Sequence, residues 1–126
     1  MDKQRQLQMI TDIIRSGEKK RDNLKLGVEI EHFVVWEDTL KSVSYYGEDG
    51  VESTLKDLQN KGWSRKDEGE YLLSLEKDDL NITLEPGSQL EVSIGAKKTI
   101  IEIESSYMRF LDELLPVLNR KGQLLL

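Results

Sequence analysis

Two short stretches of this chain alternate apolar residues with carboxylates, and a period of two is the signature of a half-buried β-strand. The first runs Leu24-Lys25-Leu26-Gly27-Val28-Glu29-Ile30-Glu31. The second begins Leu84-Glu85-Pro86-Gly87-Ser88 and continues Gln89-Leu90-Glu91-Val92-Ser93-Ile94. Alternate strand residues share a face, so Glu29 and Glu31 lie on one side about 6.5–7 Å apart. Leu24, Leu26, Val28 and Ile30 are then directed the other way, into a core. In the second stretch Gln89, Glu91 and Ser93 share the polar side, opposite Leu90, Val92 and Ile94. Placed in one sheet, the two stretches gather Glu29, Glu31, Glu85, Glu91 and the Gln89 amide on a single surface. Hard divalent cations suit such a surface, because Mg²⁺ takes oxygen ligands and keeps some of its waters. A solvated strand face carries glutamate for solubility as well. Against that simpler reading, Glu is depleted in strands, and Gly27 leaves room for a ligand to approach the backbone.

The remaining elements follow from periodicity and punctuation. Leu7, Ile10, Ile13 and Ile14 at helical spacing predict a helix from about Lys3 to Lys20, weakened at Gly17. One strand is predicted over Leu24–Trp36, then a polar loop over Glu37–Gly47 with room for a short strand. Asp49 is placed to cap a helix over Gly50–Asn60, with Val51, Leu55 and Leu58 as its apolar stripe and Lys61-Gly62 closing it. Tyr71–Leu75 and Leu80–Leu84 flank the Asp78-Asp79 turn as an antiparallel hairpin. Pro86-Gly87 puts a bulge or kink before a third strand, Gln89–Ile94, because proline cannot donate to a ladder. From Thr99 to Arg120, Ile100, Ile103, Tyr107, Phe110, Leu111, Leu114, Leu115 and Leu118 form one broad helical face, with Pro116 kinking it or marking its last turns. The final Gln123-Leu124-Leu125-Leu126 resembles the start of a further strand. Few strands, antiparallel connections and helices beside the sheet make residues 1–126 a single α+β unit.

Composition narrows the function classes. A net charge of −6 argues against nucleic acid as a partner, since phosphate backbones require a basic footprint. No apolar run approaches the roughly 20 residues that cross a bilayer, and the N-terminus lacks the apolar segment of a secretory signal; a cytoplasmic protein is expected. With no cysteine, disulfides, thiolate catalysis and zinc–thiolate sites drop out. His32 is the only histidine, and strand parity puts it on the apolar side, where a packed or edge-exposed histidine is expected rather than a ligand. Trp36, Trp63, Tyr45 and Tyr46 read as packing or rim residues. Lys97-Lys98 could steer phosphates, although solvated lysines are commoner. No glycine-rich phosphate loop is present.

Gly27, Glu29, Glu31 and the aromatic Phe33, followed by the segment Leu84 through Ser93, resemble the N-terminal signature of the glutamate–cysteine ligases of the plant and proteobacterial type. Those enzymes are several hundred residues long, so the chain would match only their first third or so. The resemblance implies a glutamine-synthetase-like antiparallel sheet, curved into a bowl whose polar concave face lines the active site. It implies that Glu29 and Glu31 hold Mg²⁺ (or Mn²⁺) bridging ATP to the substrate glutamate. Glu85 and Glu91 would be further ligands, and Gln89, Ser93 and Gly27 would line the substrate. The implied reaction is phosphorylation of the glutamate γ-carboxylate by ATP, then displacement of phosphate by the amine of cysteine, the first step of glutathione synthesis. Small molecules (glutamate, cysteine and ATP) would be the partners, without nucleic acid or membrane. On this reading the ATP-binding residues lie beyond Leu126, the chain alone is inactive, and its uncovered sheet favours self-association. Two alternatives stand beside it: a carboxylate–amine ligase with a different amine, and a non-catalytic module binding metal or an amino acid.

Overall fold

The computed structural model describes residues 2–126. Helix α1 spans Lys3–Ser16, its first turn capped by Asp2, whose carboxylate accepts from the Arg5 backbone N–H at 3.0 Å. It ends short of Lys20, because the polar run after Gly17 offers no apolar position to extend the stripe, and Arg21–Asn23 instead makes a tight 3₁₀ turn. No residue of α1 is buried.

The predicted strand over Leu24–Trp36 is two strands, β1 (Leu26–His32) and β2 (Val34–Trp36). They part at Phe33, whose N–H donates to the Leu126 carbonyl and whose carbonyl accepts from the Leu126 N–H, at 2.8 and 2.9 Å. A single bridge, Val35 to Ser42, is the short strand foreseen in the loop that follows. Helix α2 (Val51–Gln59) has Gly50 as its N-cap, not Asp49. The carbonyls of Ser44 and Tyr45 accept from the Val51 and Glu52 N–H groups, so the preceding loop does the capping expected of the Asp49 side chain. Strands β3 (Ser64–Arg65), β4 (Ser74–Lys77), β5 (Leu80–Glu85) and β6 (Gln89–Lys97) follow. The β4–β5 hairpin turns at Asp78 and Asp79, as anticipated. Between β5 and β6 the chain reverses through Pro86–Ser88, with Gly87 at φ 80° and Ser88 at φ 64°. Helix α3 (Ile100–Arg120) opens on a reciprocal capping box between Thr99 and Glu102 and runs through Pro116; β7 (Gln123–Leu125) closes the chain against β2. None of the described helices is long and apolar enough to cross a membrane.

The main sheet has the order β1-β6-β5-β4-β3, antiparallel throughout, and the fold is α+β. Leu75, Leu80, Ile82, Leu90, Val92 and Ile94 line one face and bury against Phe110, Leu114 and Leu118 of α3 and Leu55 and Leu58 of α2. Leu24 and Leu26, assigned by parity to this core, are exposed, while Val28 and Ile30 are half-buried against it. Parity chooses a face, but burial needs an element covering that face. Ile100, at the matching end of α3, is exposed too.

Candidate functional site

The opposite face of β1, β6 and β5 carries the polar halves of both sequence stretches. Antiparallel pairing sets Glu29 across from Ser93 and Glu31 across from Glu91. On the other side of β6, Glu91 lies across from Thr83 and Gln89 from Glu85. Glu29, Glu31, Glu85, Gln89, Glu91 and Ser93 therefore share one face of three adjacent strands, and Gly27 lies on the same side of β1. Nothing lies within 4 Å of a Cβ built on Gly27, so its missing side chain leaves that end of the face open.

Two carboxylates on adjacent strands, directly opposite, repel each other. Each is held by a neutral donor. Gln89 Nε2 donates to Glu31 Oε2 at 2.7 Å, and the Thr83 hydroxyl donates to Glu91 Oε1 at 3.0 Å. Among the described residues, none of Glu29, Glu31, Glu85 and Glu91 takes part in an ion pair. Neither do their carboxylates close into a group of three or more metal-holding side chains. The donor set is all oxygen and fits a hard divalent cation; drawing it together would require the side chains to turn from their present partners.

Behind this face two networks fix the strands, a buried one around His32 and a half-exposed one around Asp79. His32, the last residue of β1, is packed as parity indicated, stacked on Tyr107 and Phe110. Its Nε2 is 3.0 Å from the Tyr107 hydroxyl and its Nδ1 3.3 Å from the Leu126 carbonyl. Burial pulls its pKa below the ordinary histidine value, and the Leu126 contact opposes this only in part. Asp79 in the β4–β5 turn is the second hub. It accepts from Ser106 and Arg109 of α3 at 2.7 and 2.6 Å and pairs with Lys97 of β6 at 2.7 Å. Burial pushes the Asp79 carboxyl up, but these three donors outweigh it and hold the group well below the usual carboxylate range. Lys97 is thus a structural cation rather than a solvated one.

Residues 25–126 match the family described as glutamate-cysteine ligase family 2 (GCS2). The chain belongs to this family. It is similar to the chloroplastic glutamate–cysteine ligase of Arabidopsis thaliana, 30% identical over 88 residues, which is 69% of this chain and 16% of that protein. It is likewise similar to the chloroplastic glutamate–cysteine ligases A and B of Oryza sativa subsp. japonica, each 31% identical over 86 residues, covering 68% of this chain and 17% of the relative. The chain thus spans about a sixth of the length of the curated relatives it matches. Within the glutamate–cysteine ligase family 2 match, β1 through β7 are all included, whereas α1 precedes it. The sequence points to Asp79 only as a turn residue and does not single out Thr83. Alternation along β5 does place Thr83 on the polar face, but no local pattern joins Asp79 to Lys97 and Arg109, which are distant along the chain.

Proposed function

We propose that this chain is part of an ATP-dependent ligase that joins the γ-carboxylate of L-glutamate to the amine of L-cysteine, giving γ-glutamylcysteine for glutathione synthesis. Family membership supports the ligase class, and the juxtaposition of Glu31 and Glu91 across β1 and β6 carries the assignment of the site. A strand pair keeps like charges opposite each other at a cost, which a cation between them would offset. Glu29, Glu31, Glu85 and Glu91 would hold Mg²⁺ or Mn²⁺ through their carboxylate oxygens. When bound, the metal would neutralise charge on the transferring phosphoryl group of ATP. Gln89 both donates and accepts, which suits the ammonium and carboxylate of an amino acid; Ser93 beside it adds a hydroxyl, and Gly27 leaves the backbone open. Acyl phosphate formation and aminolysis need positioning and charge neutralisation but no protein nucleophile, consistent with a face of carboxylates and amides.

The test uses a longer protein that contains this chain and has measurable glutamate- and cysteine-dependent phosphate release. Glu29→Ala and Glu31→Ala should each lower turnover by about a hundredfold or more, a loss of roughly 2.7 kcal/mol in transition-state stabilisation, with urea midpoints little changed. Near-normal turnover at saturating Mg²⁺ in either variant would return that residue to a solvated strand face.

A further inference from the structure

We propose that a second subsite, at the opposite end of the β1–β6 pair from Glu31 and Glu91, binds an oligophosphate group. Lys19, Asn23, Lys25 and Lys98 line a cleft of about 420 Å³ there. They come from separate segments: the linker after α1, the residue entering β1 and the residue leaving β6. A β-bulge sets the orientation. The register passes from Val28 opposite Ile94 to Leu26 opposite Lys97, so β6 spends one more residue than β1 over that interval. The extra residue turns Lys97 toward α3, where its Nζ meets Asp79 Oδ2 at 2.7 Å. Lys98, the next residue, leaves the strand pair and lines the cleft together with Lys25.

Charge decides what such a cleft can hold. Three lysines and one asparagine line it, with no acidic residue; the Glu102 carboxylate, which accepts from the Lys98 backbone N–H at 3.1 Å, is held in the capping box of α3. Among the described residues none of Lys19, Lys25 and Lys98 is in an ion pair, in a chain whose net charge is −6. Lysines that share a cleft and form no ion pair favour an anion, and one with several oxygens can meet all three. Glu29 and Glu31 lie about 13 and about 20 Å along β1 from Lys25 at strand rise and repel an anion that lacks a metal, which directs it to the lysine end. The ligand class follows from the cleft alone; identifying the anion with the nucleotide of the ligation rests on the proposed function.

Free tripolyphosphate and ATP are the two sources to distinguish. Each is titrated into the ¹⁵N-labelled chain at constant ionic strength, with EDTA present so that no metal contributes. Saturable shifts at Lys19, Asn23, Lys25 and Lys98 are expected for tripolyphosphate. Lys25→Gln combined with Lys98→Gln should weaken that binding at least tenfold, while Lys41→Gln, an exposed lysine elsewhere, should leave it within twofold. Tighter binding of ATP at the same resonances would identify a nucleotide as the source, and equal binding a free oligophosphate. Non-saturable shifts, full affinity in the double variant, or an equal loss in Lys41→Gln would overturn the subsite. Because magnesium is excluded, failure here leaves the carboxylate reading intact, and failure of Mg²⁺ to act on the carboxylates leaves this result intact.

Discussion

Replacing Glu31 with glutamine isolates the like-charge contact at the centre of the polar face. Directly opposite residues of an antiparallel pair have Cβ atoms roughly 4.5–5.5 Å apart. Two unit charges about 5 Å apart repel by about 0.8 kcal/mol in water and about 3 kcal/mol at an effective dielectric of 20. Glu31 is exposed and Glu91 half-buried, so solvent screening favours the lower end, about 1 kcal/mol. Glutamine keeps an acceptor oxygen for the Gln89 amide, leaving repulsion as the main quantity removed. For a chain of 126 residues, that energy corresponds to a rise of roughly 3–5 °C in the melting temperature of the metal-free protein. Mg²⁺ at a hundred times its dissociation constant would stabilise the wild type by about 2.7 kcal/mol, or roughly 8–13 °C on the same scale. Glu31→Gln should lose most of that increment. Thermal melts in millimolar MgCl₂ and in NaCl of equal ionic strength separate coordination from screening, since screening responds to ionic strength alone. Equal shifts with the two salts, together with no gain from Glu31→Gln without metal, would refute the reasoning.

Other consequences concern the scaffold. Gly50→Ala should cost at least about 2 kcal/mol, read as a lower urea midpoint, because an added Cβ would stand 2.5 Å from the Tyr45 carbonyl oxygen and 2.6 Å from that of Tyr46. Stability should fall as pH drops through the acid range. Asp79 and Asp67 both have folded pKa values below the ordinary carboxylate value; at Asp67 desolvation is outweighed by donation from Arg65 and from the Leu73 and Ser74 N–H groups. Their contributions are therefore present above about pH 4 and are lost as pH falls toward the depressed values. Asp79→Asn should flatten that limb in urea titrations. His32, lowered from 6.5, adds a milder loss that begins as pH falls below 6.5, and His32→Gln should remove it.

Much of the site was legible before any tertiary contact was known, because it depends on local parity. Alternation alone put Glu29 with Glu31 and Gln89 with Glu91 and Ser93, and it placed His32 on the packed side, where it stacks on Phe110. Helical spacing likewise located α3, its Thr99 start and the buried run Ile103, Phe110, Leu114 and Leu118. These signals reach only a few residues along the chain, and the backbone geometry that produces them is the same in any fold.

What local pattern could not supply was partnership. That Glu31 faces Glu91 depends on β1 pairing with β6 in one register out of several. That Lys97 turns to Asp79 depends on a bulge in that pairing, invisible in the lysine pair itself. Leu24 and Leu26 had the right parity for a core and no covering element, and the stripe of α1 is exposed for the same reason. Asp49 could have capped α2, but the carbonyls of Ser44 and Tyr45 reached the helix N–H groups first. The sequence determined which side chains share a face, because side-chain direction is a property of the local backbone. Only the tertiary structure decided which faces meet, because register, capping and burial are settled by competition among segments distant along the chain.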